Sequence, residues 1–158
     1  MTARRSERND SVSNPLPPAP RASSEGARAV MVGNRSSNTG PERAIRSALH
    51  AQGLRFFKHR RPDPSVRCRA DIVFPAARVA VFVDGCFWHR CPIHGVNPRT
   101  NPDYWRTKLD RNVARDRRND GLLAGAGWTV VRVWEHDEPE RAAEHIAAAV
   151  AEKQRRTD

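Results

Sequence analysis

Cysteine is scarce in this chain: there are three in 158 residues, an odd number. Any scheme that couples Cys86 to Cys91 leaves Cys68 over, so a disulfide framework is excluded and a metal site in a reducing compartment fits better. Long apolar runs are absent as well. The N-terminus has none, and nothing downstream approaches about 18 consecutive apolar residues, so neither a secretory signal nor a membrane span is read and a cytoplasmic, nucleoid-associated place is expected. Residues 1 to 30 carry no aromatic side chain but are rich in Arg, Ser and Pro (Pro15, Pro17, Pro18, Pro20). Such a basic segment cannot bury enough apolar area to offset its ordering entropy, which predicts a disordered tail. Residues 31 to 153 then suit a single domain, with 154 to 158 as a short C-terminal tail. Acidic residues are the minority, 18 against 28 Lys and Arg, and the net charge is +10. Only +3 of that lies in the first 40 residues, so the folded part is itself basic and should attract a polyanion, most often nucleic acid.

What the chain does contain is concentrated between Val83 and His94, VDGCFWHRCPIH. These twelve residues hold two of the three cysteines, two of the six histidines, a carboxylate and an adjacent pair of large aromatics. Core strands rarely have that composition. Cys86 and Cys91 are separated by four residues, and His94 follows Cys91 after two more, with Pro92 stiffening the turn. Thiolate sulfur and imidazole nitrogen presented by a tight turn suit a borderline ion such as zinc, which leaves a fourth ligand to find. The competing reading is that both thiols are ordinary small buried residues.

The flanking sequence supplies a frame. Thr39-Gly40-Pro41-Glu42 reads as a capping box with an early proline, so a helix should start there and stop at Gly53. Leu54 to Phe57 suits a short strand, Arg60 to Arg69 a loop, and Ala70 to Phe74 a strand that carries Asp71. Arg78 to Val83, a β-branched run of the kind found inside a covered sheet, delivers the Cys/His block to its C-terminal end. Asn101 and Pro102 predict the start of a helix running to about Leu123 or Ala124, with Gly125 and Gly127 ending it. Trp128 to Trp134 reads as another strand, both tryptophans facing the core, and Glu138 to Lys153 as a final helix. No internal repeat interrupts the series. A small mixed β-sheet flanked by helices, an α/β fold, is expected.

These segments resemble the very-short-patch mismatch repair endonucleases (Vsr). The likeness spans about residues 28 to 136 and rests on the stretch from Met31 to Glu42, the Asp71 strand, VFVDGCFWHRCPIH, and YWRTKLDRNVARDRR followed by GWTVVRVWE. It implies a restriction-endonuclease-like core with a structural zinc site, and a magnesium-dependent hydrolase that nicks one strand 5′ of the thymine in a T·G mispair. The implied magnesium ligands are the Asp71 side chain and the Val83 carbonyl. His89 matches the family histidine that activates the attacking water, a task for a side chain that exchanges protons at neutral pH, and Glu42 matches an acid that holds metal-bound water. Restriction-type sites usually place a lysine two residues after a carboxylate, whereas Asp84-Gly85-Cys86 has none; this resembles the Vsr variant, which implies His89 in the lysine's place. Asp84 either joins the metal shell or caps the turn. Where many relatives carry a fourth zinc cysteine, this chain has His136, so the implied set is Cys86, Cys91, His94 and His136.

Phe87 and Trp88 lie on a polar loop, where core packing explains them poorly. With Trp105 they match family aromatics that wedge into the duplex beside a mismatch, and Met31 matches a residue inserted from the N-terminal arm; wedges act most easily where the pair is already weak. Trp105 also begins an apolar helix face and can be read as packing. Lys108, Arg111, Arg115 and Arg118 are candidates for phosphate contact. The implied partners are double-stranded DNA with a T·G mismatch, mismatch-repair proteins and a cytosine methyltransferase system, acted on by a monomer without membrane association. Two alternatives stay open: a related nuclease acting on matched or otherwise damaged DNA, and a zinc-stabilised DNA-binding module without catalysis.

Overall fold

The structure, a computed structural model, describes residues 16–22, 24–26, 28 and 37–156. Met31 lies outside the described residues. From residue 37 onward the chain runs α1 (Gly40–Ala51), β1 (Phe57–Arg60), β2 (Ala70–Phe74), β3 (Val79–Asp84), α2 (Pro102–Gly125), β4 (Thr129–Trp134) and α3 (Pro139–Arg155). The strands form one sheet in the order β1-β2-β3-β4. β1, β2 and β3 are antiparallel neighbours, Phe57 opposite Val73 and Ile72 opposite Val81, while β4 runs parallel to β3 with Asp84 opposite Trp134. A parallel neighbour needs a long crossover, and α2 supplies it. Among the described residues no helix is long and apolar enough to cross a membrane.

Alternation along the inner strands sorts the core into two layers. Ile72, Phe74, Val79, Val81, Val131 and Val133 pack with Ile45 and Leu49 of α1 and with Ala143, Ile146 and Val150 of α3. On the other face Val73 and Ala80 meet Val66, Leu123 at the end of α2, and Trp128. Trp128 is therefore core as expected, whereas Trp134 is half-buried and stacks on His136 at 6.1 Å. Of the 24 residues of α2 only Trp105, Leu109 and Leu123 are buried, so its charged middle is exposed or half-buried.

Two local expectations change. The first strand is Phe57–Arg60, three residues beyond the apolar run Leu54 to Phe57. Leu54 and Phe56 instead pack against the first core layer on the way in, and the strand, at the sheet edge, is made of Phe57, Lys58, His59 and Arg60. Charged side chains on an edge are compatible with pairing on one side only and discourage a further strand from adding, so apolarity was a poor marker for it. At the start of α2, Asn101 adopts a left-handed conformation (φ +53°) and its side chain makes no capping hydrogen bond. Thr39 does cap α1: its hydroxyl oxygen accepts the Glu42 N–H at 3.5 Å, and Pro41 sits in the first turn.

Candidate active site and metal centre

The parallel pair β3–β4 ends where the chemistry begins. Beyond Asp84 the chain winds through consecutive turns, with His89 N–H donating to Gly85 O, Cys91 N–H to Cys86 O and Gly95 N–H to Cys91 O at 2.8 to 3.1 Å. The turn is tied to β4 by Glu135, whose carboxylate accepts the Cys86 N–H at 2.7 Å. A Cβ on Gly95 would run into the Cys91 carbonyl oxygen, so only glycine closes the last turn.

This winding gathers Cys86, Cys91, His94 and His136, whose ligand atoms all lie within 4.8 Å of one another. Nδ1 of His136 is 3.0 Å from Cys86 Sγ and 3.8 Å from Cys91 Sγ; Nδ1 of His94 is 4.0 and 3.9 Å from the same sulfurs. A tetrahedral ion with bonds of about 2.3 Å to sulfur and about 2.0 Å to nitrogen holds such donors about 3.6 Å apart, so the four residues fit a metal of that kind. Both sulfurs are buried and both imidazoles reach the surface. Burial foremost, with Cys91 and Glu135 adding to it, pushes the Cys86 thiol well above its ordinary value. A thiol so placed becomes thiolate when a cation stands beside it.

A second group forms where α1 meets the sheet edge. Glu42, His59 and Asp71 each offer one ligand atom within 4.8 Å of the others. Glu42 is buried, and the capping of α1 fixes it: Oε2 accepts the Asn38 N–H at 2.9 Å, Oε1 accepts the Thr39 hydroxyl at 3.2 Å, and Arg46 lies 3.5 Å from Oε2. Asp71 uses Oδ2 to accept the Val83 N–H at 2.7 Å. Burial raises the Asp71 carboxyl to about 6; the Val83 bond opposes this, and the charges of Glu42 and Asp84 add to it.

His89 sits between this group and α2. Its Nδ1 is 2.5 Å from Asp116 Oδ2 and 3.8 Å from Asp84 Oδ1. With Nδ1–H donated to Asp116, Nε2 carries the free lone pair. Burial opposes ionisation of Asp116, but the bond to His89 and the charges of His89, Arg132 and Arg115 outweigh it, and the carboxyl lies below its ordinary value. Asp84 is engaged elsewhere: Arg132 Nη1 donates to both its oxygens at 2.7 and 2.9 Å, while Nε and Nη2 of the same guanidinium grip Asp120 at 2.9 Å. Burial raises Asp84 despite the opposing charges of His89 and Arg132. Both its oxygens thus accept from Arg132, and it is not one of the three residues of the Glu42 group. One cleft of about 480 Å³ is lined by Glu42, Val83, His89, Trp88, Asn112 and Arg115 among others.

The aromatics form a single cluster. Phe87 meets Trp88 edge-on at 5.0 Å and Trp105 at 5.5 Å, Tyr104 meets Trp105 at 5.3 Å, and Lys108 Nζ stands 5.4 to 5.6 Å from the rings of Trp88, Tyr104 and Trp105. Trp105 is buried and makes the floor; Phe87 and Trp88 are half-buried above it. Trp88 Nε1 is enclosed without a hydrogen-bond partner among the described residues. Arg115 lines the cleft, and Arg118 is exposed on the same helix.

The structure therefore brings together Glu42 with Asp71, His89 with the cleft, the four Cys/His ligands with one another, and the three aromatics with one another. Sequence reasoning passed over His59, which lay between the strand read to Phe57 and the loop read from Arg60, and Asp116, read as one charge among several on a charged helix face. It also passed over Glu135, Arg132 and Tyr104. Asp116 had one available signal, its place inside the NVARDRR segment.

Residues 23–94 match the family model described as DNA mismatch endonuclease Vsr, a segment that ends before Trp105, Asp116 and His136. The type II nicking enzyme V.NaeI of Lentzea aerocolonigenes is 52% identical over 122 residues, covering 76% of this chain and 72% of that protein. V.XorIIP of Xanthomonas oryzae pv. oryzae, also a type II nicking enzyme, is 47% identical over 117 residues, 73% of this chain and 83% of that one. The DNA mismatch endonuclease Vsr of Escherichia coli is 40% identical over 100 residues, 62% of each.

Proposed function

The chain belongs to the Vsr family of DNA mismatch endonucleases, and from that premise we propose that it nicks one strand of duplex DNA on the 5′ side of the thymine in a T·G mispair by magnesium-dependent hydrolysis. The observation that carries the reading is that Glu42, within 4.8 Å of Asp71 at their ligand atoms, shares one cleft with the Val83 backbone and with His89, whose ring Asp116 orients. In this reading the domain is a restriction-endonuclease-like core, Asp71 and the Val83 carbonyl hold the cation, and Glu42 steadies water bound to it. The cation's contribution is to neutralise charge on the scissile phosphate and polarise its oxygen. His89 accepts a proton from the attacking water at Nε2. Asp116, bonded to Nδ1, holds the ring in the tautomer that leaves Nε2 basic and balances the imidazolium that forms, the role a buried acid plays behind a catalytic histidine generally. The zinc reading assigns Cys86, Cys91, His94 and His136 to a structural ion that braces the loop carrying His89.

Recognition is assigned to Phe87 and Trp88, with Trp105 beneath them and Met31 from the N-terminal arm. Aromatic faces supported from below can replace the stacking a weak mispair has lost, at a cost of a few kcal/mol that is smallest at a mismatch. T·G pairs arise when 5-methylcytosine deaminates, so the proposed setting is repair beside a cytosine methyltransferase, with mismatch-repair proteins completing the patch.

The test is a nicking gel over T·G, matched and otherwise damaged duplexes, with and without magnesium. The expected outcome is a single magnesium-dependent nick in the T·G duplex, abolished by Asp71→Ala and His89→Ala in variants that still fold, and slowed about 10²- to 10⁴-fold by Asp116→Asn. Equal cutting of matched DNA would replace the substrate assignment, and full activity in both alanine variants would remove the mechanism.

A further inference from the structure

His59 is the one residue of β1 that is not exposed. The pairs on either side, Lys58 with Ile72 and Arg60 with Ala70, put it directly across the ladder from Asp71. Yet its backbone is left-handed, φ +48°, in the middle of a strand. Few residues other than glycine adopt that conformation, and where they do the surroundings impose it, most often at a functional site. The ring lies between two carboxylates: Nε2 is 3.5 Å from Glu42 Oε2, and Nδ1 is 3.9 Å from Asp71 Oδ1. Nε2 is nevertheless enclosed without a hydrogen-bond partner among the described residues. Asp71 commits only Oδ2 to the backbone of Val83, so Oδ1 is the oxygen facing the imidazole.

These separations are long for hydrogen bonds, and one ligand atom from each of Glu42, His59 and Asp71 lies within 4.8 Å of the other two, a spread that suits donors around one ion. Ligands at about 2.1 Å from a six-coordinate cation stand about 3 Å apart when adjacent and about 4.2 Å apart when opposite. We propose that a ring nitrogen of His59 is a direct ligand of the divalent cation held by Asp71, beside Glu42, and that the site so completed binds Mn2+ and Co2+ more tightly than Mg2+. The proposal rests on Asp71 being a metal ligand, as in the functional reading above, and adds a nitrogen donor that changes which metal the site prefers. Magnesium is a hard cation that favours oxygen, whereas imidazole raises affinity along the series from manganese to cobalt. Oxygen donors alone would give a weaker preference. The rival role for His59 is a counter-ion that balances two acids and never touches the metal. The two roles differ in sign, because removing a counter-ion frees the acids for a metal while removing a ligand weakens it.

The test uses the full chain with its zinc retained and no DNA. Mn2+ binding is measured by electron paramagnetic resonance of the free ion, Mg2+ by competition, and the bound Mn2+ is examined by pulsed resonance for modulation from a directly bonded nitrogen. Expected are nitrogen modulation in the wild-type protein, lost in both His59→Ala and His59→Gln, and an Mn2+ affinity about tenfold weaker in His59→Ala with a smaller change for Mg2+. Wild-type protein binding Mn2+ without nitrogen modulation overturns the proposal even if the variants fail to fold. So does unchanged or tighter Mn2+ binding by His59→Ala. Asp71→Asn separates the two readings: if it abolishes Mn2+ binding while His59→Ala does not, the functional reading stands and this inference alone falls, whereas indifference of both variants overturns both.

Discussion

Asp71 holds its proton to about pH 6 because burial disfavours its charge more strongly than the Val83 N–H favours it. An acid whose folded value is raised stabilises the fold most fully below its unfolded value near 4, and that stability is lost as pH rises through 6. The expected outcome is that without added divalent metal the wild-type melting temperature falls relative to Asp71→Asn between pH 4 and pH 7. Added metal, if Asp71 holds it, closes that gap for the wild type and does nothing for the variant. Differential scanning calorimetry of the pair at four pH values measures this, and the comparison cancels groups with the opposite trend such as Asp116. Asp71 was legible in the sequence because a lone carboxylate in an apolar strand stands out. Its partner His59 was not, because FKHR offers no periodicity and only the antiparallel register sets the histidine opposite the acid.

The loop between β3 and α2 works as an element because its turns close in succession. Gly95 ends the series against the Cys91 carbonyl, and a side chain there must push the His94 backbone away from the two sulfurs. On the proposal that the Cys/His cluster holds zinc, Gly95→Ala is expected to speed its loss to a chelator by at least about tenfold and to lower the melting temperature in step, read by a colorimetric zinc assay and thermal unfolding. Unchanged zinc retention would mean that the metal is held without this turn. The Cys-x4-Cys-x2-His spacing was readable because it is local. Helix α1 was equally readable from its capping box, and the Thr39 cap that starts it also fixes Glu42 in the site. The helix that carries Asp116 was placed to within two residues, but the partner of that aspartate was not, because 27 residues separate it from His89.

Across the whole molecule, the excess of positive charge beyond residue 40 accompanies a cleft edged by α2, which presents Lys108, Arg115 and Arg118. If these side chains meet phosphates, each neutralised phosphate releases counter-ions, and log affinity should fall linearly with log salt. Removing Arg115 and Arg118 together is expected to reduce that slope by about 2 while leaving the preference for a mispair intact, measured by fluorescence anisotropy from 50 to 300 mM salt. An unchanged slope would return both arginines to the solvated surface. By itself the sequence determined the order of helices and strands and the Cys/His spacing of the candidate metal cluster, since each is written in spacing along a few turns or a few strand residues. Only the tertiary structure decided which acids face which imidazoles: Asp116 behind His89, Asp84 held by Arg132, and His59 between Glu42 and Asp71. Those pairings join segments from different elements, and where a side chain meets its partner depends on sheet register and helix packing, which no local pattern encodes.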